Sequence, residues 1–188
     1  GIRMANKDSF GADFIPTYDF SKAKVIAGIG CDFLNSWLLS TEYMAQYGST
    51  RKPENGAMSR HYQFESNMSQ TGSNADYRRR IKPSEEGAVA AAILAGVGGG
   101  GKAWEGDAHV GGAIDKLVAD LNDNKGKSLV VAGSNNKDIQ ILVNAINDAL
   151  GNYGSTIDNT THTMMGGNND EDIMEFATQL SKGEIHGV

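Results

Sequence analysis

The sequence predicts an α/β domain with a mostly parallel sheet flanked by helices. Two short apolar runs, Lys24–Gly30 and Ser128–Gly133, are rich in β-branched residues and are typical of strands buried on both faces. Amphipathic helical patterns lie between and after these runs, as in a parallel sheet with helical crossovers. The 188 residues suffice for one domain with a substantial core, so we expect a single domain over 1–188.

The elements expected before residue 83 are short. Residues 1–20 have the pattern of an irregular segment, and the first strand follows it. Ser40–Gly48 predicts a helix with a hydroxyl at its N-cap and a glycine just after it. The polar segment 49–75 predicts mostly loop, with a short strand at His61–Phe64, and Asp76–Ile81 predicts a further extended segment.

Three helices are expected between residues 83 and 151, besides the strand at Ser128–Gly133. The first begins near Pro83 with Ser84 as N-cap, runs to about Ala95 and is broken by Gly98–Gly101. The apolar positions of the next two have helical spacing; they are Ile114, Leu117, Val118 and Leu121, and then Ile139, Leu142, Val143, Ile146 and Leu150.

The last part of the chain predicts a polar loop over 152–168 and one more helix over 170–182. Ile173, Phe176, Ala177 and Leu180 of that helix are expected to face the core. Residues 184–188 resemble the start of another strand, and Gly1 stands where an initiator Met would be. Both features favour a fragment of a longer chain.

Composition excludes several classes of function. The net charge of −6 argues against nonspecific nucleic-acid binding, which needs a basic surface. The single cysteine, Cys31, excludes a disulfide, a cysteine-ligated iron–sulfur cluster or a cysteine-based zinc site within these residues. No apolar run approaches the about 18 residues of a membrane span.

Two glycine-rich motifs invite a phosphate-binding interpretation. Gly96–Ala103 has the spacing of a P-loop, but a helical run precedes it and Ala103 replaces the required hydroxyl, which favours a flexible turn. Gly28-Ile29-Gly30 follows a strand as in a dinucleotide fingerprint. Phe33 replaces the third glycine there, which favours an ordinary strand end.

The remaining reactive residues form no catalytic constellation. Cys31 has no resolving partner, which favours a small buried side chain over a nucleophile. The basic run Arg78–Lys82 fits a solvated sheet edge better than an anion grip. Trp37 and Trp104 fit core positions better than interface anchors. The histidines, which lack metal-ligand spacing, are His61, His109, His162 and His186.

Several longer stretches resemble a known family. They are YDFSKAKVI at 18–26, MSRH at 58–61, QFES at 63–66, TGSNADY at 71–77 and IKPSE at 81–85. These stretches resemble the large iron–sulfur, molybdopterin-oxidoreductase-like subunit of bacterial Alternative Complex III, a quinol:cytochrome c oxidoreductase. The wider family is the molybdopterin oxidoreductases, which include dimethyl sulfoxide reductase and formate dehydrogenase. The resemblance implies part of that family's fold.

The resemblance also places a vestigial cofactor site. In active members the segment after the first strand carries Gly-x-Asn-Pro, where this sequence has Gly30-Cys31-Asp32-Phe33. A second segment carries Arg-Pro-Gly-Thr-Asp, where this sequence has Lys82-Pro83-Ser84-Glu85-Glu86. Both segments help to hold the guanine nucleotide of the cofactor in the family, and a serine and a longer carboxylate in the second are expected to obstruct it. The vestigial site would therefore lie near Gly28, Gly30, Cys31, Asp32, Lys82, Pro83, Ser84 and Glu86.

The resemblance implies a cofactor-free domain without catalytic or metal-binding residues. Iron–sulfur clusters would lie elsewhere in the full subunit. The partners would be the other subunits of a membrane-bound respiratory complex, which hold this domain on the periplasmic face of the bacterial inner membrane without a span of its own. Two alternatives stay open: a genuine molybdopterin-guanine-dinucleotide oxidoreductase, and a nucleotide-binding module that uses Gly28, Gly30 and Gly133.

Overall fold

The computed structural model describes residues 1–163, 165 and 170–185. Its strands are β1 (Pro16–Tyr18), β2 (Val25–Ile29), β3 (Arg60–Glu65), β4 (Tyr77–Arg80), β5 (Ser128–Ala132) and β6 (Ile157–His162). Its α-helices are α1 (Ile2–Phe10), α2 (Ser40–Ser49), α3 (Gln70–Ser73), α4 (Glu86–Gly96), α5 (Ala108–Asp123), α6 (Lys137–Ala149) and α7 (Asp170–Ser181).

A four-stranded, all-parallel sheet in the order β4-β3-β2-β5 forms the centre of the fold. Every residue of β2 and β5 is buried, as the continuous apolar runs predict. Helices cover both faces of the sheet. The predicted α/β class with a parallel sheet flanked by helices is therefore confirmed.

Two apolar clusters lie on opposite faces of this sheet. Because side chains alternate along a strand, Ala27 and Ile29 of β2 join one cluster, while Ile26 joins the other. The first cluster packs against α4, α5 and α6. The second is largely aromatic and includes Phe20 and Phe33.

The first twenty residues are not irregular. Ile2–Phe10 forms α1, which packs against α6, and Asn6 is buried with its side chain donating to the carbonyl of Phe14 at 2.9 Å. The strands β1 and β6 pair in a separate antiparallel sheet, in which Tyr18 faces Ile157. The polar loop expected over 152–168 therefore contains a strand.

Some predicted helix starts were wrong. Ser84 lies inside a 3₁₀ turn, Pro83–Glu85, and α4 begins after that turn, at Glu86. No side chain caps α2, whose N-cap is Leu39 rather than Ser40. In α6 the capping side chain is Asn136, which accepts from the backbone of Asp138 at 2.8 Å.

The predicted inward face of α7 was also wrong. Ile173, Phe176 and Leu180 are 58%, 43% and 47% exposed, although the helix has the predicted position. Glu184 and Ile185 are not in a strand, and residues 186–188 of the expected strand lie outside the described part. Within the described ranges, no helix is both long and apolar enough to cross a membrane.

Candidate functional site

The carboxyl end of β2 is the position in this sheet where a ligand site is expected. From β2 the sheet extends to β3 and β4 on one side and to β5 on the other. In open α/β sheets, ligands bind where the loops after two such strands diverge. The candidate crevice therefore lies between Gly30, which follows β2, and Gly133, which follows β5.

Backbone contact closes this crevice. The N–H of Gly133 donates to the carbonyl of Ile29 at 3.0 Å, which extends the pairing of β5 with β2 beyond the strands. A Cβ atom at Gly133 would overlap the carbonyl oxygen of Gly30. The segments that follow β2 and β5 are thus in backbone contact where the crevice begins.

The carboxylate of Glu86 lies directly against Gly30. Gly30 has a φ of 55°, and a Cβ atom at this position would collide with Oε1 of Glu86. Burial raises the pKa of Glu86. Glu86 is the first residue of α4, so a carboxylate of the protein stands at the positive end of the helix, where a phosphate would be favoured.

The side chain of Gln63 takes the space beside Gly28. Its Nε2 donates to the carbonyl of Cys31 at 3.0 Å and to Oε2 of Glu65 at 3.2 Å. A Cβ atom at Gly28 would overlap the Gln63 amide, so this glycine makes room for a side chain. Gly28 therefore serves internal packing in this structure.

Asp32 fastens the loop after β2. Its Oδ1 accepts from the backbone N–H of Thr71 at 3.0 Å and from the Thr71 hydroxyl at 2.7 Å. The Thr71 Oγ1 in turn accepts from the N–H of Leu34 at 2.9 Å. This arrangement ties the loop to α3 and occupies Oδ1 of the Asp32 carboxylate.

Cys31 and Phe33 belong to the core. Burial raises the pKa of the Cys31 thiol well above its usual value, so the thiol is neutral and a poor nucleophile. The ring of Phe33 is fully buried and stacks on Phe20 with centroids 4.4 Å apart. Phe33 therefore fills the aromatic cluster, while Glu86 and Gly133 close the crevice.

The second predicted segment only partly reaches the site. Lys82, Pro83 and Ser84 are exposed, and the backbone N–H of Lys82 donates to Glu85 at 2.8 Å. In this segment it is the longer carboxylate side chain of Glu86 that approaches Gly30. Ser84 lies in the 3₁₀ turn with its side chain exposed, so its expected obstruction of a guanine nucleotide stays a prediction.

A buried polar row on β3 was missed by the sequence analysis. His61, Gln63 and Glu65 all lie on one face of the strand and are buried. Burial lowers the pKa of His61 to about 4. The strict alternation with Tyr62 and Phe64 is the signal that could have identified this row.

Hydrogen bonds within the protein offset the cost of burying most of these polar groups. Burial would raise the pKa of Glu65, but donors from Ser69 and Arg78 outweigh it and hold the pKa below the ordinary value. The Nε of Arg78 lies 2.5 Å from Oε1 of Glu65. The tyrosine hydroxyl of Tyr47 lies 3.1 Å from Nδ1 of His61. The row is thus an internal network that links β3 to its neighbours.

The other motifs lie apart from the crevice. The glycine segment after α4 is a loop in which Gly98, Gly100 and Gly101 have positive φ, and Lys102 pairs with Glu105 at 2.9 Å. His162 stacks on Phe14 with centroids 4.5 Å apart. His186 lies outside the described residues. Over the described ranges, no cluster of three acidic, histidine or cysteine side chains could hold a metal ion.

A pterin dinucleotide does not fit the residues at the crevice. A half-buried carboxylate beside Gly30 would repel a pyrophosphate, and the segments that contain Gly30 and Gly133 are in backbone contact where the crevice begins. Comparison with known proteins assigns no family, since neither a protein-family model nor a curated protein matches the chain.

Proposed function

We propose that the chain is a non-catalytic, molybdopterin-oxidoreductase-like domain that serves as a rigid α/β platform in a respiratory membrane complex. The observation that carries the proposal is the closed crevice: Gly133 contacts Gly30 through the backbone, and Glu86 covers Gly30 from α4. A domain that retains the strand order of a nucleotide-binding sheet but blocks its crevice is suited to structural support.

The resemblance of the sequence supplies the context of this proposal. The complex would oxidise quinol and pass electrons to cytochrome c or a similar acceptor. Iron–sulfur clusters in other regions of the full-length protein would carry the electrons. The domain would sit on the periplasmic face of the inner membrane and would be held there by the other subunits.

Extraction of the cofactor tests the proposal. The purified protein is oxidised under acid conditions that convert molybdopterin into a fluorescent pterin, with an active molybdopterin enzyme treated in parallel as the positive control. We expect no fluorescent pterin above the buffer blank. A pterin yield close to one per chain would contradict the proposal and support the genuine molybdopterin oxidoreductase.

A nucleotide-binding module is the second candidate, and the strand order β4-β3-β2-β5 favours it. Thermal unfolding with millimolar ATP, NAD or GDP separates it from the platform. A ligand that binds the native state must stabilise it, so binding in the crevice would raise the melting temperature. We expect Glu86→Gln to change this shift by less than about 2 °C, because Glu86 and Gly133 keep a nucleotide out of the crevice, and a larger change would favour the nucleotide-binding module.

A further inference from the structure

A cleft of about 410 Å³ opens at the amino end of the parallel sheet, on the edge opposite to the closed crevice. Val25 and Arg60, where β2 and β3 begin, form part of its lining. The turn that contains Lys22 and Lys24 lies on one side, and Asp120 of α5 lies on another. This volume falls within the range of about 300–1,000 Å³ that is usual for small-molecule sites.

Three cationic residues lie next to one another along this edge, one just before or at the start of each of three neighbouring strands. The N–H of Arg60 donates to the carbonyl of Lys24 at 2.8 Å, and the N–H of Lys24 donates to the carbonyl of Lys127 at 2.7 Å. Neighbouring strands lie about 4.8 Å apart. The backbone therefore places Lys127, Lys24 and Arg60 side by side at the starts of β5, β2 and β3.

The carboxylates at this edge are already neutralised. Asp120 accepts from Nη1 of Arg60 at 2.7 and 2.8 Å and also from the hydroxyl of Tyr62. Asp19 pairs with Lys22 at 3.1 Å. In the part of the chain that the structure describes, Lys24 and Lys127 form no ion pair, so the edge keeps an excess of positive charge.

The end of α2 does not cancel this charge. The last carbonyls of a helix carry partial negative charge and would repel an anion. Here the hydroxyls of Ser49 and Thr50 donate to the carbonyls of Gln46 and Tyr47 at 2.7 and 2.9 Å. Two of the last carbonyl oxygens of α2 thus have side-chain donors within the protein.

We propose that this cleft binds a phosphorylated small molecule. The ammonium group of Lys24 would donate to phosphoryl oxygens, and Lys22 would add an N–H that its pair with Asp19 leaves over. Arg60 would add its Nε and Nη2, since its contacts with Asp120 use Nη1 alone. A phosphoryl group carries up to two charges and three acceptor oxygens, which suits a cleft whose lining includes three cationic residues.

Calorimetric titration at low salt tests the proposal with two probes, tripolyphosphate and ADP. We expect both to bind and Lys24→Gln to weaken the binding about tenfold, which corresponds to the loss of one hydrogen bond to a charged group. Lys22→Gln should weaken it in the same direction. Lys102→Gln is the matched control, because it removes the same charge from the distant glycine loop, and its affinity should stay within about twofold of the unmodified protein.

Two results would overturn this site. One is that neither tripolyphosphate nor ADP gives a heat of binding at millimolar concentration. This result would overturn the site even if a glutamate-rich peptide, titrated in the same way, did bind. The other is an equal loss of affinity in Lys102→Gln and Lys24→Gln, because the binding would then reflect overall charge rather than the cleft. Neither result bears on the closed crevice at the opposite edge of the sheet.

Discussion

The side-chain amide of Asn147 on α6 pairs with both backbone groups of Val130 on β5. The Val130 N–H donates to Oδ1 of Asn147 at 3.2 Å, and Nδ2 of Asn147 donates to the Val130 carbonyl at 2.8 Å. Because β5 is an edge strand of the parallel sheet, this amide takes the place of a neighbouring strand. A side chain thus satisfies the backbone N–H and carbonyl that Val130 presents at this edge.

Asn147→Leu should destabilise the protein by about 3 kcal/mol, because it leaves a buried N–H and a buried carbonyl without partners. Urea unfolding followed by circular dichroism measures this change in the free energy of unfolding. Asn122→Leu is the control, since the exposed Asn122 makes one long contact with the carbonyl of Gly96, and it should change stability by less than about 0.5 kcal/mol. Equal effects of the two substitutions would refute the role of Asn147.

Protonation of His61 should make the free energy of unfolding depend on pH. Its pKa falls from 6.5 to about 4 on folding, because burial disfavours the charged ring. Between these values the unfolded chain binds more protons, so stability is lost as the pH falls. We expect His61 alone to reduce the free energy of unfolding by about 2 kcal/mol between pH 7 and pH 5.

His61→Gln isolates this contribution, because the amide does not titrate. Urea unfolding at pH 7 and pH 5 should show a much smaller difference for the variant than for the unmodified protein. Hydrogen bonds lower the pKa values of Glu65 and Asp76 despite burial, and both carboxylates are present in the variant as well, so they contribute to both measurements. An unchanged pH slope in the variant would contradict the assignment.

Gly133→Ala should destabilise the protein by about 3 kcal/mol, since the added methyl group meets backbone rather than a movable side chain. Gly112→Ala is the matched control. Gly112 lies within α5 with open space around its Cβ position, so the alanine should stabilise by about 0.5–1 kcal/mol. If Gly133→Ala were neutral, the loops after β2 and β5 would not be in contact.

Arg78→Gln should cost about 3 kcal/mol, because the Glu65 carboxylate, only 4% exposed, would lose its cationic partner. Arg80→Gln, at the exposed end of the same strand, should change stability by less than about 0.5 kcal/mol. Thermal unfolding of both variants measures the difference. Equal melting temperatures would show that Glu65 does not depend on Arg78.

The fold class follows from local patterns, whereas the missed elements depend on distant contacts. The runs around Val25–Ile29 and Ser128–Ala132 are continuously apolar, which specifies buried parallel strands. By contrast, β6 contains Asn159, Thr160 and Thr161, and it is a strand because it pairs with β1, which lies near the opposite end of the chain. Local propensity gives no indication of such a partner.

The candidate site was predicted only in outline. Gly30 could be identified from the strand that precedes it, and Glu86 from its place in the second segment. Their contact depends on how α4 packs over the sheet, which no spacing in the sequence reports. Likewise, Gly133 closes the crevice through its backbone, and a backbone contact leaves no signal in residue types.

The metal content of the purified, assembled complex tests the central proposal most directly. Elemental analysis by mass spectrometry should find molybdenum and tungsten far below one atom per chain, alongside iron from clusters in other regions. Iron serves as the internal control that the complex was isolated with its cofactors. Molybdenum or tungsten near one atom per chain would contradict the account, because a pterin would then occupy the crevice that Gly133 and Glu86 close.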